Sequence, residues 1–450
     1  MEGNRFADAN QTEKFRRMTE EPVNKLIIQL AVPTIVSMLV TSIYNMTDTY
    51  FVGKISTSAT GAVGVIFPLM TIIQAVGFLF GHGSGNYISR QLGAQKFKEC
   101  DEMVSTGFFM SLIGGLLITI FGYIFRERFA VLLGATETIL PYALDYLKYI
   151  LISAPFMTAT FVLNNQLRFQ GSAMYAMIGV MAGGILNMIL DPIFIFVFNM
   201  GVAGAAAATA LSQFIGFMVL LVYENKKAIP IRFKNFKPNV YYLKEIFRGG
   251  LPSLFRQGCA SIAFVYLNHS AGFYGDAAIA AMTVVQRITM FAASAMIGYG
   301  QGFQPVCGFN YGAKRYDRVK QGVKFCTKSS FIVLVVFAVL GIVFAPQLIA
   351  EFRNDPDVIA IGARTLRFQC LTFPLMGWLI IINMMTQTIG YTWRASILGM
   401  ARQFLFFVPC LYILSALFGL TGIECAQSAA DVISFIASVF IGLDVLKKMK

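Results

Sequence analysis

Leu92-Gly93-Ala94-Gln95-Lys96-Phe97 decides the fold, because its Gly93-Ala94 pair returns 219 residues later as Gly312-Ala313. At the same ungapped offset Pro33 falls on Pro252, Gly81 on Gly300, Gly83 on Gly302, Pro155 on Pro374 and Gly171 on Gly390. Further along the register slips by one, so that Gly204 answers to Gly422. Glycine and proline mark positions where the backbone does something other side chains cannot do cheaply. Their recurrence at one spacing predicts two copies of one structural plan.

Each copy is strongly apolar. Of 450 residues 56% are hydrophobic and only 13% charged, with a mean hydropathy of +0.65. Soluble domains run nearer about 45–50% apolar and about 25% charged. Twelve apolar stretches are long enough to cross a bilayer. They lie near 27–52, 60–85, 104–125, 141–165, 172–197, 202–223, 246–272, 277–303, 326–350, 360–388, 396–418 and 423–445. The expected fold is therefore an all-α polytopic membrane protein with twelve transmembrane helices in two pseudo-twofold six-helix lobes. Six is an even number, so both copies enter the membrane from the same side and are parallel repeats about an axis along the membrane normal. The boundaries read 1–25 for an N-terminal arm, 26–223 for the N-lobe, 224–245 for a basic linker, 246–445 for the C-lobe and 446–450 for a tail.

The net charge of +13 does not indicate nucleic acid, because it is sorted onto alternate connections. Lys14, Arg16, Arg17 and Lys25 precede the first span, Arg90, Lys96 and Lys98 follow the second, and Lys226 to Arg248 fill the middle. Lys314, Arg315, Arg318, Lys320 and Lys324 follow the eighth span, and Lys447, Lys448 and Lys450 end the chain. By the positive-inside rule both termini are cytoplasmic and the protein is a multi-pass protein of the cell membrane. The polar N-terminus does not read as a cleavable signal peptide. Seven cysteines form no CxxC pair, and no GxxxxGK[ST] is present to bind ATP. His82 and His269 stand at span ends without HExxH or a Ser-His-Asp set, which argues against an enzyme.

Polar groups inside the spans are few. In Gly183-Gly184-Ile185-Leu186-Asn187-Met188-Ile189-Leu190-Asp191-Pro192 an amide and a carboxylate are one turn apart on one helix face. Pro192 lacks an N–H and so frees the carbonyl of Met188. An acid at the centre of a membrane helix costs about 2.5–3.5 kcal/mol on insertion scales, which marks it as functional by default. Asp48 repeats the pattern in the first span, with Tyr44 and Asn45 on its face. Thr209, in the small-residue run Gly204–Ala210, adds a hydroxyl. Two carboxylates in a poorly solvated site do not both ionise freely, so the pair shares a proton or takes a cation such as sodium. Met38, Met46 and Met181 stand beside these positions and suit an adaptable cavity. The second half has no acid in its seventh, tenth or eleventh span, and its polar candidates are Arg256, Gln257, Gln286, Arg287, Gln304 and Gln387. Cation chemistry is expected of the first half.

Together these residues resemble the multidrug and toxic compound extrusion (MATE) transporters over about residues 22–445. The resemblance rests on Pro33, Tyr44 through Asp48, Leu92-Gly93-Ala94, Pro155, Asn187 through Pro192 and the two halves. Leu251 through Gln257 and Gln304 through Ala313 look like the bacterial exporter branch with an Arg-Gln in the seventh helix. It implies two lobes around a central cavity, functional as a monomer. The activity implied is secondary active export of amphipathic, often cationic drugs or toxic metabolites in exchange for sodium or protons, with no cofactor. By the same resemblance Asp48, Asn187, Asp191 and Thr209 form the cation or proton site and Pro33 lets the first helix bend. Tyr44, Asn45, Asn164 and Asn165 would face the drug, beside Met38 and Met181, with lipid around the whole. Other readings are a lipid-linked sugar flippase of the same superfamily and an uncoupled channel or receptor.

Overall fold

The computed structural model describes residues 12–449, and no strand occurs among them. Twelve long helices carry the chain. In the first lobe they are α1 (Val23–Gly53), α2 (Thr57–Gly93), α3 (Phe97–Ile124), α4 (Leu140–Phe169), α5 (Ala173–Pro192) and α6 (Gly201–Lys227). In the second they are α7 (Val240–Gly272), α8 (Asp276–Gly312), α9 (Tyr316–Val343), α10 (Pro356–Thr388), α11 (Thr392–Phe418) and α12 (Leu420–Lys448). Eleven are long and apolar enough to cross a bilayer by length and composition. The remaining one, α7, has 33 residues and carries Lys244, Glu245, Arg248 and Arg256 in its first half. Together they make a multi-pass, all-helical membrane protein of two six-helix lobes.

The sequence offset reappears in the elements. α2 and α8 begin 219 residues apart, as do α3 and α9, α5 and α11, and the short helices Arg126–Leu132 and Ala345–Phe352. The turns match as well. Gln95 and Lys314 have φ of 58° and 59°, and Gly171 and Gly390 have 78° and 92°. At each turn the N–H one residue on reaches back five residues, as in Lys96 to Gln91 and Arg315 to Asn310 (2.9 and 2.8 Å). Ser172 to Leu167 and Tyr391 to Thr386 close the other pair, both at 2.9 Å. All four are the left-handed closure that satisfies the last carbonyls of a helix.

The lobes meet along α1–α8 and α2–α7, through small residues. Gly83 lies on the main chain of Ile246 and against Gly249, Gly250 on Leu79, Gly302 on Ala31 and Gly298 on Ile35. Thr34 Oγ1 donates to the Gly298 carbonyl at 2.7 Å. The seam is densest at the end carrying the basic connections. There Arg90 Nη1 donates to the Thr388 carbonyl at 2.6 Å and its Nη2 meets Glu245 at 3.3 Å. A helix over 12–20 straps the same end, its carbonyls Met18 and Thr19 accepting from Asn310 and Arg315 (3.1 and 2.7 Å). On this strap Lys14 donates to Ser172 Oγ at 3.1 Å, and burial pushes its ammonium below the usual lysine range. Toward the opposite end, beyond Ser42 and Gln74, no hydrogen bond joins the lobes among the described residues. Gly53, Gly64, Gly258 and Gly275 there have no neighbour within 4 Å. The lobes are closed at one end and cleft at the other.

Several boundaries differ from the sequence reading. The linker expected at 224–245 is the segment 228–239, because α6 continues to Lys227 and α7 starts at Val240. Glu224 is not linker but buried, bonded to Gln170 Nε2 at 2.6 Å. Asn239 begins α7 early by accepting from the Tyr242 N–H at 2.9 Å. The ninth span, expected to reach 350, stops at Val343, and Pro346 opens a separate short helix. α1 begins at Val23 within the expected arm, and α12 runs to Lys448 into the expected tail. Residues 1–11 of the arm and Lys450 lie outside the described residues.

A Cβ on Gly250 would overlap the Leu79 main chain, whereas one on Gly258 would meet nothing within 4 Å. Gly250→Val should cost about 1–3 kcal/mol by overpacking. Fluorescence-monitored unfolding in detergent should show a lowered midpoint for it and none for Gly258→Ala.

Candidate functional site

Two adjacent glycines set the site up. Gly183 lies 3.2 Å, as a Cβ would see it, from the Ser212 carbonyl on α6, and Gly184 lies at 3.1 and 3.2 Å from Val40 and Tyr44 on α1. Lacking side chains, they let α5 approach both neighbours closely. One turn on, Asn187 Nδ2 donates to Asp191 Oδ1 at 3.1 Å and to Thr209 Oγ1 at 3.3 Å. Past Pro192 the helix widens into a π turn at Ile193–Val197, closed by Phe198 N–H to the Ile193 carbonyl at 2.9 Å.

Asp191, Asn187 and Thr209 are all buried. The amide has spent both hydrogens, so Asn187 Oδ1 and Asp191 Oδ2 remain buried without a partner. Asp48 Oδ1, from α1, is in the same condition. Its charge acts on both Asp191 and Tyr44, and Gln213 of α6 stands beside the Tyr44 hydroxyl. Tyr146 of α4 stands in the field of both acids. The cluster thus presents three oxygens that lack donors, plus the Thr209 hydroxyl, in a place where an unsatisfied acceptor is costly. It can accept a proton or surround a small hard cation. No group of three or more His, Cys, Asp or Glu forms a metal cluster among the described residues.

The remaining candidates scatter. Met38 and Met181 are partly exposed, Asn45 is exposed, and Pro33 is buried within α1. Asn164 and Asn165, expected to face a drug, serve as fasteners. Asn164 Nδ2 donates to the Ala176 carbonyl at 3.2 Å, tying α4 to α5. Asn165 is 2% exposed, donates to the Phe161 carbonyl at 2.7 Å and accepts from Arg168 Nη2. Both stand in the last two turns of α4, where the lobes are closed and no cleft reaches Asn165.

Five residues escaped the sequence reading. Gln213 and Tyr146 join the acids; Gln213 is one turn beyond Thr209, a spacing that could have found it. Arg168 is a fully buried guanidinium, donating to the Gln301 carbonyl, Gln304 Oε1 and His82 Nε2 (2.8, 2.9 and 3.4 Å). In α12, Glu424 and Asp431 are buried acids, each held by an arginine: Arg364 at 2.9 Å and Arg402 at 2.8 Å. With the late register of 218, Gln427 and Asp431 are the counterparts of Thr209 and Gln213. Where the N-lobe leaves carboxylates bare, the C-lobe supplies its own cations.

Comparison with known proteins shows the family of the chain and its fold. The MatE family model matches residues 33–193 and 252–413. The multidrug export protein MepA of Staphylococcus aureus (strain MSSA476) is 30% identical over 432 residues, 95% of each chain. That of Staphylococcus haemolyticus (strain JCSC1435) is 29% identical over 425 residues, 94% of each. A solved outward-facing multidrug resistance MATE family transporter of the MOP superfamily superposes with a TM-score of 0.92 at 27% identity, covering 96% of this chain and 98% of that one.

Arg402→Gln should leave the buried Asp431 carboxylate without a countercharge, held only by the neutral donors Gln427 and Thr372, and destabilise the C-lobe by about 3–5 kcal/mol. The double replacement Arg402→Met with Asp431→Leu should recover most of the thermal midpoint, since it removes both charges together.

Proposed function

Because the chain belongs to the MatE family and is a membrane transporter rather than an enzyme, we propose that it exports amphipathic, often cationic compounds by ion-coupled antiport. The observation that carries this reading is the convergence of Asp48, Asn187 and Asp191, each with an oxygen that has no donor, in one lobe. A carrier needs a site whose energy changes sharply with occupancy. Bare oxygens in a dry setting do that, because a bound cation or proton relieves them and its departure restores the cost. Either coupling ion, sodium or proton, fits the donor set of two carboxylates, an amide and a hydroxyl.

The cation arrives through the open end of the cleft. By the positive-inside rule the basic connections favour a cytoplasmic closed end, which supports reading this conformation as outward-open. Compounds occupy the cleft beside Tyr44, Asn45, Met38 and Met181, where thioether side chains repack around different shapes. Export requires the glycine seam to open in turn while the outer end closes. α1 takes part in both events, and its Pro33 lacks the N–H that would stiffen it.

The test is dye efflux from proteoliposomes under an imposed sodium gradient and, separately, an imposed proton gradient. One gradient should drive efflux, and Asp191→Asn and Asp48→Asn should abolish that drive with the protein still folded. With sodium as the ion, Thr209→Ala should raise the sodium concentration needed for half-maximal efflux. Native efflux by Asp191→Asn would remove this site from the mechanism. Failure of both gradients would replace drug export by lipid flipping.

A further inference from the structure

We propose that Arg256, at the floor of the cleft, receives the carboxylate of amphipathic substrates, so that zwitterionic and anionic compounds are carried as well as cations. This rests on the export reading and adds to it the chemistry of one end of the substrate. The placement comes from the seam. On α7, Gly249 lies against Gly83 and Gly250 against Leu79, and Ser253 accepts from Gln387 Nε2 at 2.8 Å. Arg256 is on the face of Gly249 and Ser253, one turn further toward the open end. Beside it Gln257 Nε2 donates to Gln74 Oε1 at 2.9 Å, the last polar contact between α7 and α2. Arg256 is partly exposed there, where the lobes begin to part.

Its guanidinium is unpaired. Among the described residues no hydrogen bond, ion pair or ring contact involves it, and the titratable groups within reach of its charge are Arg168 and His82, neither of them an acid. Arg168 is no help, since it donates only to neutral acceptors: Gln301, Gln304, Asn165 and His82. Elsewhere the chain neutralises such groups, with Glu245 on Arg90, Glu424 on Arg364 and Asp431 on Arg402. A second guanidinium, Arg287 of α8, is exposed within a span and also has no hydrogen bond or ion pair. Unneutralised arginines at membrane depth face a water-filled cavity rather than lipid. A planar guanidinium matches a carboxylate with two parallel hydrogen bonds. The N-lobe across from it holds Asp48, partly exposed, and Asp191, buried within the lobe, so the two lobes are of opposite charge. A compound with an amine at one end and a carboxylate at the other is complementary to the pair.

The experiment uses two dyes differing in one group: rhodamine 123, a cationic methyl ester, and rhodamine 110, its free carboxylic acid. Binding to the purified full chain is read by fluorescence polarisation, and efflux in proteoliposomes. The unmodified protein should bind the acid at least as tightly as the ester. Arg256→Gln should weaken the acid about tenfold, the scale of losing one charge-assisted hydrogen bond, and leave the ester within about twofold. Arg256→Lys should fall between. Equal weakening of both dyes, or of neither, overturns the proposal. So does an unmodified protein that prefers the ester, a result that needs no variant to fold. If neither dye binds or moves, the export reading itself fails. If the ester is exported and the acid is not, only the carboxylate proposal fails.

Discussion

In a bilayer, a polar group without a partner has no water to turn to. The structure depends on that constraint, and it makes the exceptions informative. Glu424 and Asp431 are held by arginines, Glu224 by Gln170, and Arg168 by neutral acceptors from α2, α4 and α8. Two exceptions bear on function. One is the trio of donorless oxygens on Asp48, Asn187 and Asp191; the other is the guanidinium of Arg256, which has no hydrogen bond or ion pair among the described residues. On the proposed function these are the groups that a bound ion and a substrate satisfy in turn.

The repeat explains why the two lobes share geometry but not chemistry. Glycine at equivalent places fixes turns and close approaches: Gly171 with Gly390 at left-handed turns, Gly83 with Gly302 at the seam. A Cβ at the seam positions would push the lobes apart, so backbone geometry holds these residues in both copies. Nothing of the kind constrains the polar positions. At the place where α6 has Thr209 and Gln213, α12 has Gln427 and Asp431, and Arg402 of α11 closes on the acid. A guanidinium tethered by a covalent chain cannot dissociate. On the proposed function, exchange with the medium belongs to the lobe whose acids lack such a partner.

The architecture was legible because it is written in glycine, proline and hydropathy, which act locally and survive a one-dimensional reading. The 219-residue offset read from Pro33, Gly93 and Gly171 recurs in helix starts and turn dihedrals. The acids of α1 and α5 were legible for the same reason, since a carboxylate in an apolar run stands out alone. The roles of Asn164 and Asn165 were not legible, because an amide in a span looks the same whether it lines a cavity or ties two helices. Only the distances to Ala176, Phe161 and Arg168 separate the cases. Arg168 was passed over because it closes a span beside a connection, where a basic residue is ordinarily solvated. Its burial arises from α8 of the other lobe, 133 residues away, and no local pattern contains that. Helix ends drifted for a related reason: caps such as Asn239 and buried ends such as Glu224 depend on tertiary partners.

One helix connects the proposed ion site with the seam. The acids and amides of the site belong to the N-lobe, whereas alternating access concerns the contact between lobes. α1 shares in both: Tyr44 and Val40 lie against Gly184, while Ala31, Thr34 and Ser42 touch α8 at Gly302, Gly298 and Ser294. Coupling requires an element with differential contacts to both events, and no α5 or α6 side chain reaches the C-lobe by a hydrogen bond among the described residues. In the proposed mechanism a change of occupancy at Asp48 and Asp191 acts on the seam by displacing α1. The helix is suited to that. Pro33 interrupts its hydrogen-bond ladder, and Thr34, Ser37, Thr41 and Ser42 each turn a hydroxyl back onto a preceding carbonyl, at 2.8 to 3.1 Å. Such back-bonds bend membrane helices and lower the cost of changing the bend. In the proposed mechanism the segment from Pro33 to Ser42, with the site above it and the glycine seam beside it, is where ion binding becomes movement between the lobes.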